Sequence, residues 1–276
     1  MALDFDHDHW ALILGGSSGF GLATAAKLAR HGMNVAVVHR DRKGAMAAIE
    51  TQFAAIRATG VGFAAFNVDA LAADGRKAVL DALVDRLAER GRVRLLLHSI
   101  AYGNLKLLAP LPPGHAGAET YDPDARLDDE DFARTIYSMG TSLATWTQDV
   151  FGRGMFAASA RVLGMTSEGN EVAWRGYAAV AAAKVALESV SRSIALELAP
   201  YGIRSNVIQA GVTDTPALRL IPGSEAMKAA AQARNPFGRL TTPTDVANFI
   251  ALLCTDEADW VNGALLRVDG GERIGG

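Results

Sequence analysis

Short apolar runs recur along the chain, with longer mixed segments between them. WALILG (10–15), NVAVVH (34–39), VGFAAFNV (61–68) and VRLLLHS (93–99) read as strands, as do ARVLGMT (160–166), RSNVIQA (204–210) and GALLRVDGG (263–271). Such runs, apolar at nearly every position, suit parallel strands covered on both faces. Helical patterns fall near 20–31, 42–58, 72–90, 128–153, 177–199 and 243–254. The alternation predicts an α/β fold: a doubly wound parallel sheet of about seven strands, with helices on both faces. Neither a linker nor a repeat divides the chain, so residues 1–276 are read as one domain. Two segments break the rhythm. Residues 103–127 hold a long connection with four prolines, and 215–239 form a second irregular stretch. Both follow carboxyl ends of strands, where open α/β sheets bind ligands.

Composition narrows the class. Half of the 276 residues are hydrophobic, 21% are charged and the net charge is -3, which suits a globular chain. With a pI near 6.1 and no basic patch, a nucleic-acid partner is not expected. No apolar stretch reaches membrane-spanning length, and the acidic MALDFDHDHW start has no signal-like core. Cys254, the single cysteine, lies in the apolar FIALLCT run and reads as a small core residue. The expectation is a soluble cytoplasmic protein without a metal site.

Candidate chemistry begins in LILGGSSGFGLATAAKLARHG. Gly15, Gly19 and Gly21 fit G-x-x-x-G-x-G between a strand and a helix. Glycine allows the tight turn and close approach of a diphosphate, and the helix start offers free N–H groups with a positive dipole end. A mere tight turn is the rival reading; its place after the first strand favours a dinucleotide. Ser17, Ser18 and Phe20 belong to the same turn. At the end of the second strand an acid would bind the ribose diol of NAD, and an arginine the 2′-phosphate of NADP. The chain reads VVHRDRK there, with His39 and Arg40 at the decisive place. NADP(H) is therefore favoured, with Arg40 on the phosphate; Asp41 keeps NAD(H) open.

RGYAAVAAAKVALES (175–189) raises the catalytic question. Lys184 sits among apolar residues, and an unpaired buried ammonium is costly. Tyr177, seven residues upstream, is the polar group singled out as its companion. Seven residues turn a helix through roughly 700°, back to nearly the same face, and advance it about 10 Å.

Taken together, the glycine turn, the alternation and this pair resemble the short-chain dehydrogenase/reductase family, from about residue 8 to the C-terminus. Asn67 and Val68 match its adenine-contacting pair. Ala210, Gly211, Val212, Thr213 and Thr215 match its nicotinamide and phosphate segment, and PTDVANFIALLCTDEADWVNGALLRVDGG resembles its C-terminal signature. Most members carry Tyr-x-x-x-Lys, whereas here Val180 stands four before Lys184. Tyr-x6-Lys resembles the enoyl-thioester reductase branch, as does LLLHSIAYGN, in which Ser99, Ile100 and Ala101 would line the nicotinamide side. The resemblance implies a Rossmann-type fold, a homotetramer, Lys184 on the nicotinamide ribose and Tyr177 donating to an enolate oxygen. It implies NADPH-dependent reduction of an enoyl thioester of acyl carrier protein or coenzyme A.

Three departures bear on this. Many members of the branch have a second tyrosine ten residues before the first, and here that position is Ser167. The phosphate loop is the shorter form, which in one branch accompanies NADPH. The 103–127 insertion has no counterpart of that length in compact enoyl reductases and is expected to reshape the substrate mouth, using Tyr102 or Tyr121. Tyr102, Thr166 and Ser167 are the candidate substrate contacts. The serine that carbonyl-reducing members carry thirteen before the tyrosine is Gly164 here. The alternatives are a family reductase acting on a carbonyl or another conjugated double bond, and a non-catalytic dinucleotide-binding protein.

Overall fold

Period-two geometry sends neighbouring strand residues to opposite faces of a sheet. In a computed structural model describing residues 3–112, 114–115, 118–122 and 124–275, both faces of the central strands are buried. Ala11 and Ile13 of β1 (His9–Leu14) enter one core with α1 (Gly19–Ala29), α2 (Met46–Arg57) and α8 (Pro243–Leu253). Trp10, Leu12 and Leu14 enter the other, with α3 (Ala73–Leu87), α5 (Ser142–Gly152) and α6 (Ala178–Glu197). Two apolar faces per strand explain the unbroken runs.

Seven described strands form one parallel sheet in the order β3-β2-β1-β4-β5-β6-β7. The others are β2 (Asn34–His39), β3 (Phe63–Asn67), β4 (Arg92–His98), β5 (Phe156–Thr166), β6 (Ile203–Ala210) and β7 (Leu265–Val268). This is the expected Rossmann-type architecture. Its winding reverses between β1 and β4, which opens a crevice at their carboxyl ends. Among the described residues no helix is long and apolar enough to cross a membrane.

Three expectations about elements are corrected. The 128–153 helix is interrupted: α4 (Asp129–Ile136) passes through a π-helical turn, Tyr137–Thr141, into α5. Gly140 lies in that turn, where a Cβ would meet the Ala183 carbonyl at 2.8 Å, so the turn presses backbone against α6. The stretch 215–239 is not irregular throughout: SEAMKAAAQAR forms α7 (Ser224–Arg234). In the 103–127 segment a bridge joins Leu107 to Arg126, a 3₁₀ turn covers Ala118–Thr120, and Lys106 pairs with Asp131 at 2.6 Å. Its positions 113, 116, 117 and 123 lie outside the described residues.

Cys254 ends α8 as a buried core thiol, its pKa pushed up to about 12 by burial. Two buried arginines take the last carbonyls of that helix. Arg94 donates to Cys254 (2.9 and 3.1 Å), and Arg161 donates to Leu253 (2.6 Å) and Thr255 (2.9 Å). Cations at a helix C-terminus satisfy its orphan acceptors and its dipole.

Candidate active site

The glycine turn is built for close approach. Gly15 has φ +83°, and a Cβ there would lie 2.4 Å from the Ser99 carbonyl oxygen. A Cβ on Gly21 would lie 2.3 Å from the Gly15 carbonyl, so Gly21 packs α1 onto the turn rather than lining the cleft. Ser17, Ser18, Gly19 and Phe20 do line it. Ser18 holds the N-cap position without a side-chain cap, and no acid occupies the first turn of α1. The helix start thus presents free N–H groups and positive potential to the cleft, as a dinucleotide diphosphate requires. Val68 lines the same cleft, and Ser99, Ile100, Ala101 and Thr215 line both this end and the next.

Two expected cofactor or substrate contacts stand elsewhere, and a third, His39, borders the cofactor end with a buried side chain. The His39 side chain is buried; Nδ1 lies 2.8 Å from Asp41 Oδ2 and the ring meets Phe53 edge-on. Asn67 braces the loop after β2: its Oδ1 accepts from the Asp41 N–H (2.9 Å) and its Nδ2 donates to the Asp41 carbonyl (3.1 Å). Tyr102 lines the cofactor end rather than the substrate end, with the Arg40 guanidinium 4.7 Å over its ring. Arg40 also donates to Asp69 at 2.8 Å and stays half exposed.

Tyr177 and Lys184 both face the other end of the cleft. Gly176 adopts φ +68° just before α6, where a Cβ would lie 2.7 Å from the Leu105 carbonyl. Tyr177 is the N-cap of α6, its carbonyl accepting from Ala181 at 2.7 Å. Its hydroxyl lies 3.3 Å from Ser167 Oγ, and burial raises its pKa. Val180, four before the lysine, is buried wall beside Met139 and Ala183. The expected partner of Lys184 was a bound ribose; the protein supplies one itself. Lys184 Nζ donates to the Met165 carbonyl at 2.8 Å. Burial lowers its pKa to about 8, and the Glu188 charge opposes that shift.

Thr166 lines this end, and its hydroxyl donates to Glu188 Oε1 at 3.0 Å; Asn170 donates to the same oxygen at 2.6 Å. Ala210, Gly211, Val212 and Thr213 form the opposite wall. Apolar Leu105, Met139, Trp174, Ile221 and Met227 complete the space. Tyr121 does not reach it: its hydroxyl donates to the Arg175 carbonyl at 3.1 Å, outside the lining.

Other site residues carried weaker sequence signals. Glu188 is readable as the i+4 neighbour of Lys184 on one helix face. His98 is buried with Nε2 2.8 Å from Ser142 Oγ. Burial and the nearby Lys184 charge drop its pKa to about 3, so it is neutral at the π-helical turn. Arg234, ending α7, bridges Glu168 and Glu272, and Glu272 accepts from the Val212 N–H at 3.0 Å. Nothing in the sequence ties those distant residues together.

Comparison with known proteins matches this geometry to a family. A profile described as Enoyl-(Acyl carrier protein) reductase covers residues 15–272. The chain belongs to the short-chain dehydrogenase/reductase family. Within it, the chain resembles the enoyl reductase branch, and it is an NAD(P)H-dependent oxidoreductase. It is 31% identical over 264 residues, 95% of each chain, to a cis-4-hydroxycyclohexanecarboxylate dehydrogenase of Sinomonas cyclohexanicum. It is also 31% identical to the 1-cyclohexenylcarbonyl-CoA reductase of Streptomyces collinus, over 98% of this chain and 88% of that one. Among solved structures it is similar to the promiscuous reductase LugOII, which catalyses keto-reduction at C1 during lugdunomycin biosynthesis. That likeness has a TM-score of 0.79 and 25% identity over the whole of both chains.

Proposed function

We propose that this short-chain reductase uses NADPH to reduce the 2,3-double bond of an enoyl thioester carried by coenzyme A or acyl carrier protein. One observation carries the reading: the phenol facing the substrate end is Tyr177, at the cap of α6, while Val180 fills the position four before Lys184. In a ketone reductase the acid must touch the oxygen on the carbon that receives hydride. In enoyl reduction hydride goes to the β-carbon, and charge develops on a thioester oxygen beyond it. A donor set back along the helix suits the second geometry.

A bound reduced nicotinamide supplies the hydride. The residues around it orient and polarise. Lys184, held by Met165, would bind the nicotinamide ribose and add positive charge to the site. Tyr177 donates to the developing enolate oxygen, and the Ser167 hydroxyl 3.3 Å away steadies the phenol. The apolar wall of Leu105, Trp174, Ile221 and Met227 suits an acyl chain. Half-exposed Arg40 at the end of β2 favours NADP(H) over NAD(H). The cyclohexenylcarbonyl-CoA reductase among its relatives supports the same chemistry.

The second reading is carbonyl reduction. Ser167 beside Tyr177 offers two hydroxyls to one carbonyl oxygen, and both LugOII and the hydroxycyclohexanecarboxylate dehydrogenase agree with it. NADPH oxidation with crotonyl-coenzyme A and with acetoacetyl-coenzyme A separates the two. Turnover of crotonyl-coenzyme A supports the first; turnover of the keto substrate alone removes it.

A further inference from the structure

Three consecutive residues leave β2 in three directions. His39 turns inward, 4% exposed, with its ring centroid 5.4 Å from that of Phe53. Arg40 turns outward over Tyr102 and bonds Asp69 at 2.8 Å. Asp41 lines the same cleft with a side chain 27% exposed, and it is held at its backbone and at one carboxylate oxygen, Oδ2. Asn67 grips its backbone N–H and carbonyl, and His39 Nδ1 holds its carboxylate at 2.8 Å. Facing a carboxylate, Nδ1 carries the hydrogen and donates it.

That arrangement bears on cofactor choice. Asp41 is the acid nearest in sequence to the position that reads the adenosine ribose. A free carboxylate there would accept from the 2′-hydroxyl of NAD(H) and repel the 2′-phosphate of NADP(H). We propose that His39 is a positioning residue for cofactor selection: by holding Asp41 Oδ2 it weakens that carboxylate as a rival acceptor for the ribose and leaves Arg40 as the group that meets it. The inference rests on the NADP(H) reading above. Arg40 then trades its bond to Asp69 for the phosphate, which a guanidinium binds with two parallel hydrogen bonds. The buried ring is well suited to the task, because packing against Phe53 and the β2 backbone fixes its direction.

The test is equilibrium binding of NADPH and NADH, followed by cofactor fluorescence, with displacement by adenosine 2′,5′-bisphosphate and by 5′-AMP. The wild type is expected to bind NADPH and the bisphosphate more tightly. His39→Leu frees Asp41, and the NADPH-to-NADH affinity ratio should fall about tenfold, the worth of one charge-assisted hydrogen bond. His39→Asn keeps an N–H near the Nδ1 position and should restore the ratio, as should His39→Leu combined with Asp41→Asn. Asp41→Asn alone should raise the ratio by less than about tenfold, because it removes the charge while one of the two carboxylate oxygens is already held by His39. A His39→Leu variant that weakens both cofactors equally has only lost structure, and that result overturns the inference. So does an Asp41→Asn variant with a tenfold stronger NADPH preference, a readout that does not depend on His39→Leu folding. A wild type that prefers NADH sinks the NADP(H) reading itself, and the inference with it.

Discussion

Lys184 Nζ donates to the carbonyl oxygen of Met165, 2.8 Å away at the end of β5. The lysine of α6 is thereby fixed before any ligand arrives, but one carbonyl replaces little of the water it has lost. Burial holds its pKa near 8, against an ordinary value of 10.5, and Glu188 limits the fall. The sign follows. Between those two values the unfolded chain binds more protons than the folded one, so this group's cost to stability is full below about pH 8 and is relieved as pH rises towards 10.5. Activity runs the other way, because the site uses the cation. The pH profile of kcat/KM, which reports the free enzyme, should fall through an alkaline limb near pH 8. Glu188→Gln removes the opposing charge and should move that limb to lower pH; an unmoved limb would detach it from Lys184.

Tyr177 and Ser167 separate the two chemistries. As sole donor to an enolate oxygen, Tyr177 lost to phenylalanine should cost about 10²–10³ in kcat. Ser167→Ala removes a hydrogen bond to the phenol, worth about 1 kcal/mol, and should cost about fivefold. Steady-state rates on crotonyl-coenzyme A give both numbers. Equal large losses would instead place both hydroxyls on the reacting oxygen.

Gly169 sets the phenol's position. A Cβ at this residue would lie 2.4 Å from Tyr177 Cε1, closer than any packed methyl tolerates. Gly169→Ala should therefore keep the fold, displace the ring and lower kcat by roughly 10²-fold, the scale of a misplacement near 1 Å. Normal cofactor affinity with the lowered rate is the expected pattern. An unchanged rate would show that the tyrosine has room to spare.

Arg234 ties α7 to the Val212 side of the cleft through Glu272, whose side chain is 3% exposed. Arg234→Met takes the paired cation from that buried carboxylate and leaves it the Val212 N–H, a loss of about 3–5 kcal/mol. Urea unfolding should show the shift, and Glu272→Gln in the Arg234→Met background should recover part of it. A loss under about 1 kcal/mol would mean that Glu272 is adequately served by the Val212 N–H.

Sheet and cleft were legible because each strand alternates two apolar faces and the turns carry glycine where a Cβ would collide. Gly15, Ser99 and Lys184 could be placed from such local patterns. The bracing role of Asn67 and the inward direction of the His39 ring could not. Both residues sit at strand ends where a side chain turns either to the cleft or to the loop, and tertiary contacts with Phe53 and Asp41 decide. The π-helical turn is not legible in TIYSMGTSL, which fits a continuous helix; it lies where Gly140 closely approaches α6. Helix α7 was hidden between prolines, although SEAMKAAAQAR has good helix formers throughout.

The destination of the hydride tests the central claim most directly. Crotonyl-coenzyme A is incubated with NADPH deuterated at the transferred C4 position, and the product is examined by mass spectrometry and NMR. The account predicts butyryl-coenzyme A with one deuterium, on the β-carbon. Inert crotonyl-coenzyme A, together with deuterium on the carbinol carbon of a reduced ketone, would contradict it.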